Sequence, residues 1–370
     1  MLMHCNNCYH GQLSHAVDPG ALYCHYNYVS GTSVTGHAFF ESNAREIHDR
    51  VGAAGKVLDI ACNDGSQLNE FLALGWETYG VDPAVNICPI ARAKGHNIVC
   101  GFWTSEVAAT LPVMRVITAQ NVFAHTCNID DFLYACKSVM DSDTQLYIQT
   151  SQRDMLINGE FDTIYHEHIS FFTVRSMMAL VDRAGLSLHA VRDNPIHGTS
   201  YIFEIRLPGA DADESVKQRE QTEYLSGLYT ELSYKGFSHR VDTSIARLKA
   251  TIRDYGARGY SVVGFGASAK GQTLLSYSRI RPRYIVDESP LKIGLMTPAG
   301  DVPIVNVEHL RADTSEKLLV VILAWNFSAE IYSTIARVCA GRTCSVIMGY
   351  FPTIQVVSLQ PNDIVVKVCQ

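Results

Sequence analysis

Twice along this chain an apolar strand pattern runs into a turn of small residues and then a helix: K-V-L-D-I-A-C-N-D-G at 56–65 and Y-S-V-V-G-F-G-A-S-A-K-G at 260–271. A short continuous apolar run suits a strand buried on both faces, and such strands belong to parallel sheets closed by helical crossovers. The alternation continues after each. Downstream of the first come ETYGVDP, HNIVCGF, RVITAQNVF and TQLYIQT, with helical stretches through Arg92 and near 130–140. Downstream of the second come RYIVDES, KLLVVILAW and CSVIMGY. The pattern predicts an α/β chain with two sheet-forming domains. The first 36 residues are rich in Cys, His, Tyr and Gly and lack helical periodicity, as in a small loop-rich module. The expected organisation is a module over 1–36, an α/β domain over 37–207, a polar helical connector over 208–258 and a second α/β domain over 259–370.

Composition narrows the function. With 370 residues, 47% of them hydrophobic and 18% charged, the chain has ample material for a globular core. A net charge of -7 argues against a nucleic-acid partner, which calls for a basic face. No apolar run reaches bilayer length, and the opening MLMHCNNCYHGQ lacks the layout of a secretory signal, so no membrane association is expected. Eleven cysteines are scattered without a disulfide-like spacing, which suits a reduced, cytoplasmic setting.

In V-L-D-I-A-C-N-D-G, the residues Asp59, Ala61, Asn63 and Gly65 follow an acid-x-G-x-G-x-G pattern at the end of a strand. Small residues there let the backbone approach a ligand, and the next helix offers free N–H groups. Asp82 ends the following strand, where a carboxylate can accept hydrogen bonds from ribose hydroxyls. The pair predicts a nucleoside ligand such as S-adenosylmethionine (SAM). Ala61 and Asn63 stand where dinucleotide binders use Gly, which disfavours NAD. Gln120, Asn121 and His125 lie at or beyond the carboxyl end of RVITAQNVFAH, on the ligand-facing edge of an open sheet.

The stretch F-D-T-I-Y-H-E-H-I-S-F-F sets Tyr165, His166, Glu167 and His168 in an apolar frame. A zinc site is the weakest reading, because His166 and His168 have no third ligand nearby in sequence. Tyr165, Glu167 and His168 make a good acid–base set, with the carboxylate supporting the imidazole and the phenol near an oxyanion. The same residues also suit a buried, hydrogen-bonded polar turn. Cys5-x-x-Cys8 is half of a zinc knuckle, and two free thiols are the alternative. The turn G-F-G-A-S-A-K-G carries one cation, Lys270, and Asp287 ends the next strand. Backbone N–H groups and one ammonium suit a pyrophosphate, and the alternative is a dinucleotide-type fold that binds nothing.

Together these segments resemble the sugar C-methyltransferases of branched-chain deoxysugar biosynthesis, the SAM-dependent nucleotide-hexose C-3 methyltransferases. The resemblance runs through C-x-x-C, Y-x-Y-x-S-G-x-S at 26–33, V-L-D-I-A-C-N-D-G, A-Q-N-V-F-A-H, Y-H-E-H-I-S-F-F, H-G-T-S, G-F-G-A-S-A-K-G and L-A-W-N-F, nearly the whole chain. It implies a zinc-binding N-terminal module, a central class I SAM-methyltransferase Rossmann-like domain, and a C-terminal Rossmann-like α/β domain for the sugar nucleotide. Family members carry two C-x-x-C pairs and this chain begins at the second. Either the start is truncated or the zinc module is reduced to a remnant, and Cys5 and Cys8 are the zinc ligands the resemblance implies. The resemblance implies His168 as the base that removes the C-3 proton of a nucleotide-linked 4-keto-deoxysugar, with Glu167 orienting it. Tyr165, His125 and Tyr28 would surround the sugar. His197, Gly266, Ser268, Lys270, Asp287 and Asn326 would hold the sugar nucleotide. A SAM-dependent O-methyltransferase is the alternative activity, and a monomer or small homo-oligomer the expected state.

Overall fold

One part of the chain, Met1–Arg153 with His166–Tyr229, and another, Asp154–Tyr165 with Thr230–Gln370, each form a compact unit in the computed structural model. The structure describes residues 1–32, 34–150, 155–194, 200–209, 211–360 and 363–369. The division follows a different line from the four expected segments. The polar helical stretch is shared: the helix Glu214–Leu225 belongs to the first unit and Glu231–Ala257 to the second.

The first unit contains β1 (Leu2–His4), β2 (Gly11–Leu13), β3 (Lys56–Ile60), β4 (Glu77–Asp82), β5 (Asn97–Cys100), β6 (Val116–Gln120), β7 (Gln145–Thr150), β8 (Ser170–Phe171), β9 (Ser187–Asn194) and β10 (Ser200–Arg206). Seven of these make one sheet in the order β5-β4-β3-β6-β7-β10-β9. The first five are parallel, and β10 runs antiparallel to both of its neighbours. The apolar residues of β3 and β6 are buried because helices cover both faces. One face packs Phe123, Phe132, Leu133 and Met177; the other packs Ala44, Ile47, Leu68, Phe71 and Trp76. Each large side chain so buried contributes about 1.5–3 kcal/mol. The helix Val174–Arg183 starts at a capping box between Thr173 and Ser176, which fixes where the chain leaves β8.

A second, three-stranded sheet, β1-β2-β8, pairs the N-terminal hairpin with the end of the Y-H-E-H-I-S-F-F stretch. Gly11 faces Phe171 and Gln12 faces Ser170, and the Leu13 N–H donates to the Ile169 carbonyl at 2.8 Å. A Cβ on Gly11 would lie 3.2 Å from that of Phe171, so the close pairing favours glycine there.

The second unit has β11 (Ser261–Phe265), β12 (Ile285–Val286), β13 (Ile304–Val305), β14 (Lys317–Ile322), β15 (Thr343–Gly349), β16 (Ile354–Gln360) and β17 (Asp363–Cys369), in the order β13-β12-β11-β14-β15-β16-β17. Five are parallel, and an antiparallel hairpin completes the edge. The segment ending at Tyr165 packs here: Phe161 lies in the core with Val241, Ile245 and Leu274. Among the described residues no helix is long and apolar enough to cross a membrane.

Candidate active site

At the carboxyl end of β3 the chain turns through Ala61, Asn63 and Gly65, with φ of 60°, 49° and 77°. For the two non-glycine residues this costs on the order of 1 kcal/mol each, so surrounding contacts must hold the loop. Asp82, at the end of β4, supplies them. Its Oδ2 accepts the Asn63 N–H at 2.9 Å and its Oδ1 accepts the Ala84 N–H at 2.8 Å. Each carboxylate oxygen retains a lone pair for a further donor. Gly65 permits a close approach, since a Cβ there would meet His96 Cδ2 at 2.7 Å. The Asn63 side chain fastens the segment before the first long helix: Nδ2 donates to the Tyr28 carbonyl at 3.0 Å and Oδ1 accepts the Ser30 N–H at 2.9 Å.

Two more groups complete this end. Asp59 is buried and accepts from Thr118 Oγ1 at 2.7 Å. Burial pushes its carboxyl up to about 7, against the opposing hydrogen bond from Thr118. Gln120, closing β6, donates from Nε2 to Gln67 Oε1 at 2.6 Å, while its own Oε1 is buried without a partner. Asn121 follows with φ of 52°, its N–H on the Gln149 carbonyl at 3.2 Å. A carboxylate with spare lone pairs, an unsatisfied amide oxygen and a close-approach turn suit the ribose and polar edges of a nucleoside.

Beyond β6 the turn Phe123–His125 is tied to the Y-H-E-H stretch by a hydrogen bond from the Ile169 N–H to the Ala124 carbonyl at 2.8 Å, and Phe123 stacks on Phe172 at 4.9 Å. These contacts set the His125 and His168 rings 5.0 Å apart at 41°. His168 is buried. Burial, then the nearby His166, lowers His125 to about 4, so it is neutral at physiological pH. Glu167 Oε2 accepts the Tyr26 hydroxyl at 3.1 Å, and Tyr26 is itself fixed through its N–H to Asn86 Oδ1 at 3.0 Å. Tyr28 is 45% exposed, with its ring 6.4 Å from that of Tyr26. Glu167 Oε1 also lies 4.0 Å from His166 Nε2, so the carboxylate sits between Tyr26 and His166. A buried imidazole at the ligand-facing edge of the sheet, with a positioned carboxylate adjacent in the chain, can move a proton.

Residues 36–191 match the family model described as a methyltransferase domain, and residues 195–348 match the C-methyltransferase C-terminal domain. The C-methyltransferase NovU of Streptomyces niveus is 27% identical over 339 residues, which cover 88% of this chain and 80% of NovU. The chain belongs to the SAM-dependent C-methyltransferases. Its cofactor is SAM. A ubiquinone biosynthesis O-methyltransferase of Bradyrhizobium sp. (strain ORS 278) is 28% identical over 119 residues, 31% of this chain and 46% of that one. Among solved structures, the glycopeptide N-methyltransferase MtfA aligns with a TM-score of 0.38 at 14% identity, over 45% of this chain and 96% of MtfA.

The methyltransferase distributes the remaining expected residues unevenly. Tyr165 closes the segment counted with the second unit, while His166, Glu167 and His168 belong to the first. His197 lies outside the described residues. In the second unit Asp287 repeats the arrangement of Asp82: Oδ2 accepts the Ala267 N–H at 2.7 Å and Oδ1 the Ser289 N–H at 2.8 Å. Gly266 has φ of 93°, and a Cβ there would lie 2.7 Å from that of Ala324. Ser268 caps the helix Ala269–Ser278, and Asn326 sits in the turn Trp325–Phe327.

Lys270 lies in the first turn of the helix Ala269–Ser278. It is buried, with Nζ 4.4 Å from the Trp325 ring centroid, and Asp162 and Glu160 favour its charge against the cost of burial. Asp162 accepts from Trp325 Nε1 at 2.8 Å and Tyr350 Oη at 2.7 Å.

Cys5 and Cys8 flank a tight turn, with the Cys5 N–H on the His10 carbonyl at 2.8 Å, and both are free thiols. Among the described residues no group of three or more His, Cys, Asp or Glu can hold a metal. Cys5 and Cys8 supply two of the four ligands that a structural zinc requires. Sequence reasoning passed over Tyr26 as the partner of Glu167, although it lies inside the quoted 26–33 pattern, and passed over Tyr23 altogether.

Proposed function

We propose that the protein removes the C-3 proton of a nucleotide-linked 4-keto-deoxyhexose and methylates the resulting enolate carbon. The observation that carries this reading is the buried His168, packed on neutral His125 and preceded in the chain by a carboxylate that Tyr26 holds. A C–H bond becomes acidic only next to a carbonyl, and a base of this kind is what its removal requires.

Asp59, Ala61, Asn63, Gly65, Asp82, Gln120 and Asn121 would hold the cofactor. SAM, when bound, supplies an electrophilic methyl group that the enolate carbon takes. His168 receives the C-3 proton, and Glu167 orients the imidazole and stabilises its cationic form. His125 faces the carbonyl oxygen as a neutral group, with Tyr28 and Tyr165 assigned around the sugar. The nucleotide is assigned to the second unit's turn, at Gly266 and Ser268 with Asp287 and Asn326, and His197 to the substrate. Lys270, whose charge Asp162 and Glu160 favour, is assigned to the same nucleotide.

The test is incubation with SAM and a panel of nucleotide-linked 4-keto-6-deoxyhexoses. Mass spectrometry should show one added methyl, and NMR should place it on carbon. An oxygen-linked methyl would establish the O-methyltransferase reading instead.

A further inference from the structure

Tyr23 ends the short helix Pro19–Tyr23, and its ring stacks on His125 at 5.9 Å with 15° between planes. Its other flank meets Tyr26 edge-on at 5.6 Å, the residue that holds Glu167. The Tyr23 hydroxyl is buried and has no hydrogen-bond partner. Neither has His125 Nε2. Leaving a buried polar atom unsatisfied costs about 1–3 kcal/mol, and native proteins seldom leave two on adjoining rings unless something completes them.

From this pair, and resting on the ketone chemistry proposed above, we propose that Tyr23 and His125 form a donor pair that receives the substrate's carbonyl oxygen and holds its charge in the enolate. Burial, reinforced by Glu167, raises the Tyr23 phenol, which therefore stays protonated. His125 stays neutral and offers one N–H, assigned here to Nε2. Two neutral donors suit an oxygen that brings lone pairs, as a ketone and its enolate do.

The step balances without a further reactant. The C-3–H bond breaks, the proton goes to His168, its electron pair forms the C-3–C-4 double bond, and the carbonyl π pair moves onto the oxygen. Tyr23 and His125 strengthen their hydrogen bonds to that oxygen and transfer no proton. With SAM bound, C-3 would take its methyl group as the S–CH3 bond breaks and S-adenosylhomocysteine leaves, and the enolate oxygen's electron pair would re-form the carbonyl.

The test compares wild type with Tyr23→Phe, which keeps the ring stacked on His125. The readout is exchange of the C-3 proton with deuterated water in a nucleoside-diphosphate 4-keto-6-deoxyhexose. Loss of one oxyanion donor is expected to lower kcat for exchange about 100-fold. SAM affinity and KM should change little, and a purely structural role would not give that split. Exchange at the wild-type rate overturns the proposal. A crystal structure of the full chain with S-adenosylhomocysteine tests the pair without a sugar. A water oxygen within hydrogen-bond reach of both Tyr23 Oη and His125 Nε2 supports it, and protein partners on both atoms overturn it. If wild type exchanges no proton from any such sugar, the ketone reading fails, and the crystal structure still decides whether the two atoms form a donor pair.

Discussion

The His125 and His168 rings meet at 5.0 Å although 42 residues separate them in sequence, because the Ile169 N–H is bonded to the Ala124 carbonyl. Burial, then His166, keeps His125 neutral, and of the two facing imidazoles only His168 has a carboxylate next to it in the chain.

His168→Gln should therefore abolish both methyl transfer and C-3 proton exchange, a loss of at least about 100-fold for a missing general base. SAM binding, measured by isothermal titration, should be unchanged. Exchange that persists in the variant would remove His168 from the role of base.

Tyr26→Phe deletes the 3.1 Å hydrogen bond to Glu167 while the backbone stays anchored to Asn86. Turnover should fall by about 10-fold, the equivalent of one hydrogen bond to a charged group. Cofactor affinity should not move, and steady-state kinetics beside a SAM titration would show the difference.

Asp59 gives the fold a measurable pH dependence. Its folded pKa of about 7 lies above the ordinary carboxyl value of 3.8, so the folded state binds this proton more tightly. The associated stability is present at low pH and lost as pH rises from about 4 through 7. Asp59→Asn carries no such proton, so its stability relative to wild type should improve over that interval, by at most about 4 kcal/mol. Urea unfolding of both proteins at a series of pH values measures this, and a flat difference would contradict it.

Lys270→Met leaves Asp162 and Glu160 buried without their cation. A destabilisation of about 3–5 kcal/mol is expected, read from denaturant midpoints. If Lys270 instead served as an exposed phosphate ligand, stability would hold and nucleotide affinity alone would fall.

Much of the architecture was legible because buried parallel strands declare themselves. The apolar runs at β3, β6, β11 and β14 are recognisable without any partner, since both faces of each lie against helices. β9 and β10 were not. S-L-H-A-V-R-D-N interleaves charged and polar residues with apolar ones, and the sequence does not say which sheet would accept it. The same holds for β1 and β2, three residues each, whose pairing with β8 joins segments far apart in the chain.

The candidate site divides in the same way. By itself the sequence determined the residue types: a carboxylate after the second strand, a small-residue turn, and a Y-H-E-H stretch rich in proton-transfer groups. Local order alone is enough for these, because each motif depends on spacing within a few residues. Only the tertiary structure decided which of them are engaged. It brought His125 to His168, gave Glu167 to Tyr26, left Tyr23 Oη and Gln120 Oε1 without protein partners, and enclosed Lys270 with Asp162. Hydrogen bonding and desolvation depend on neighbours contributed from distant parts of the chain, and spacing along the sequence carries no record of them.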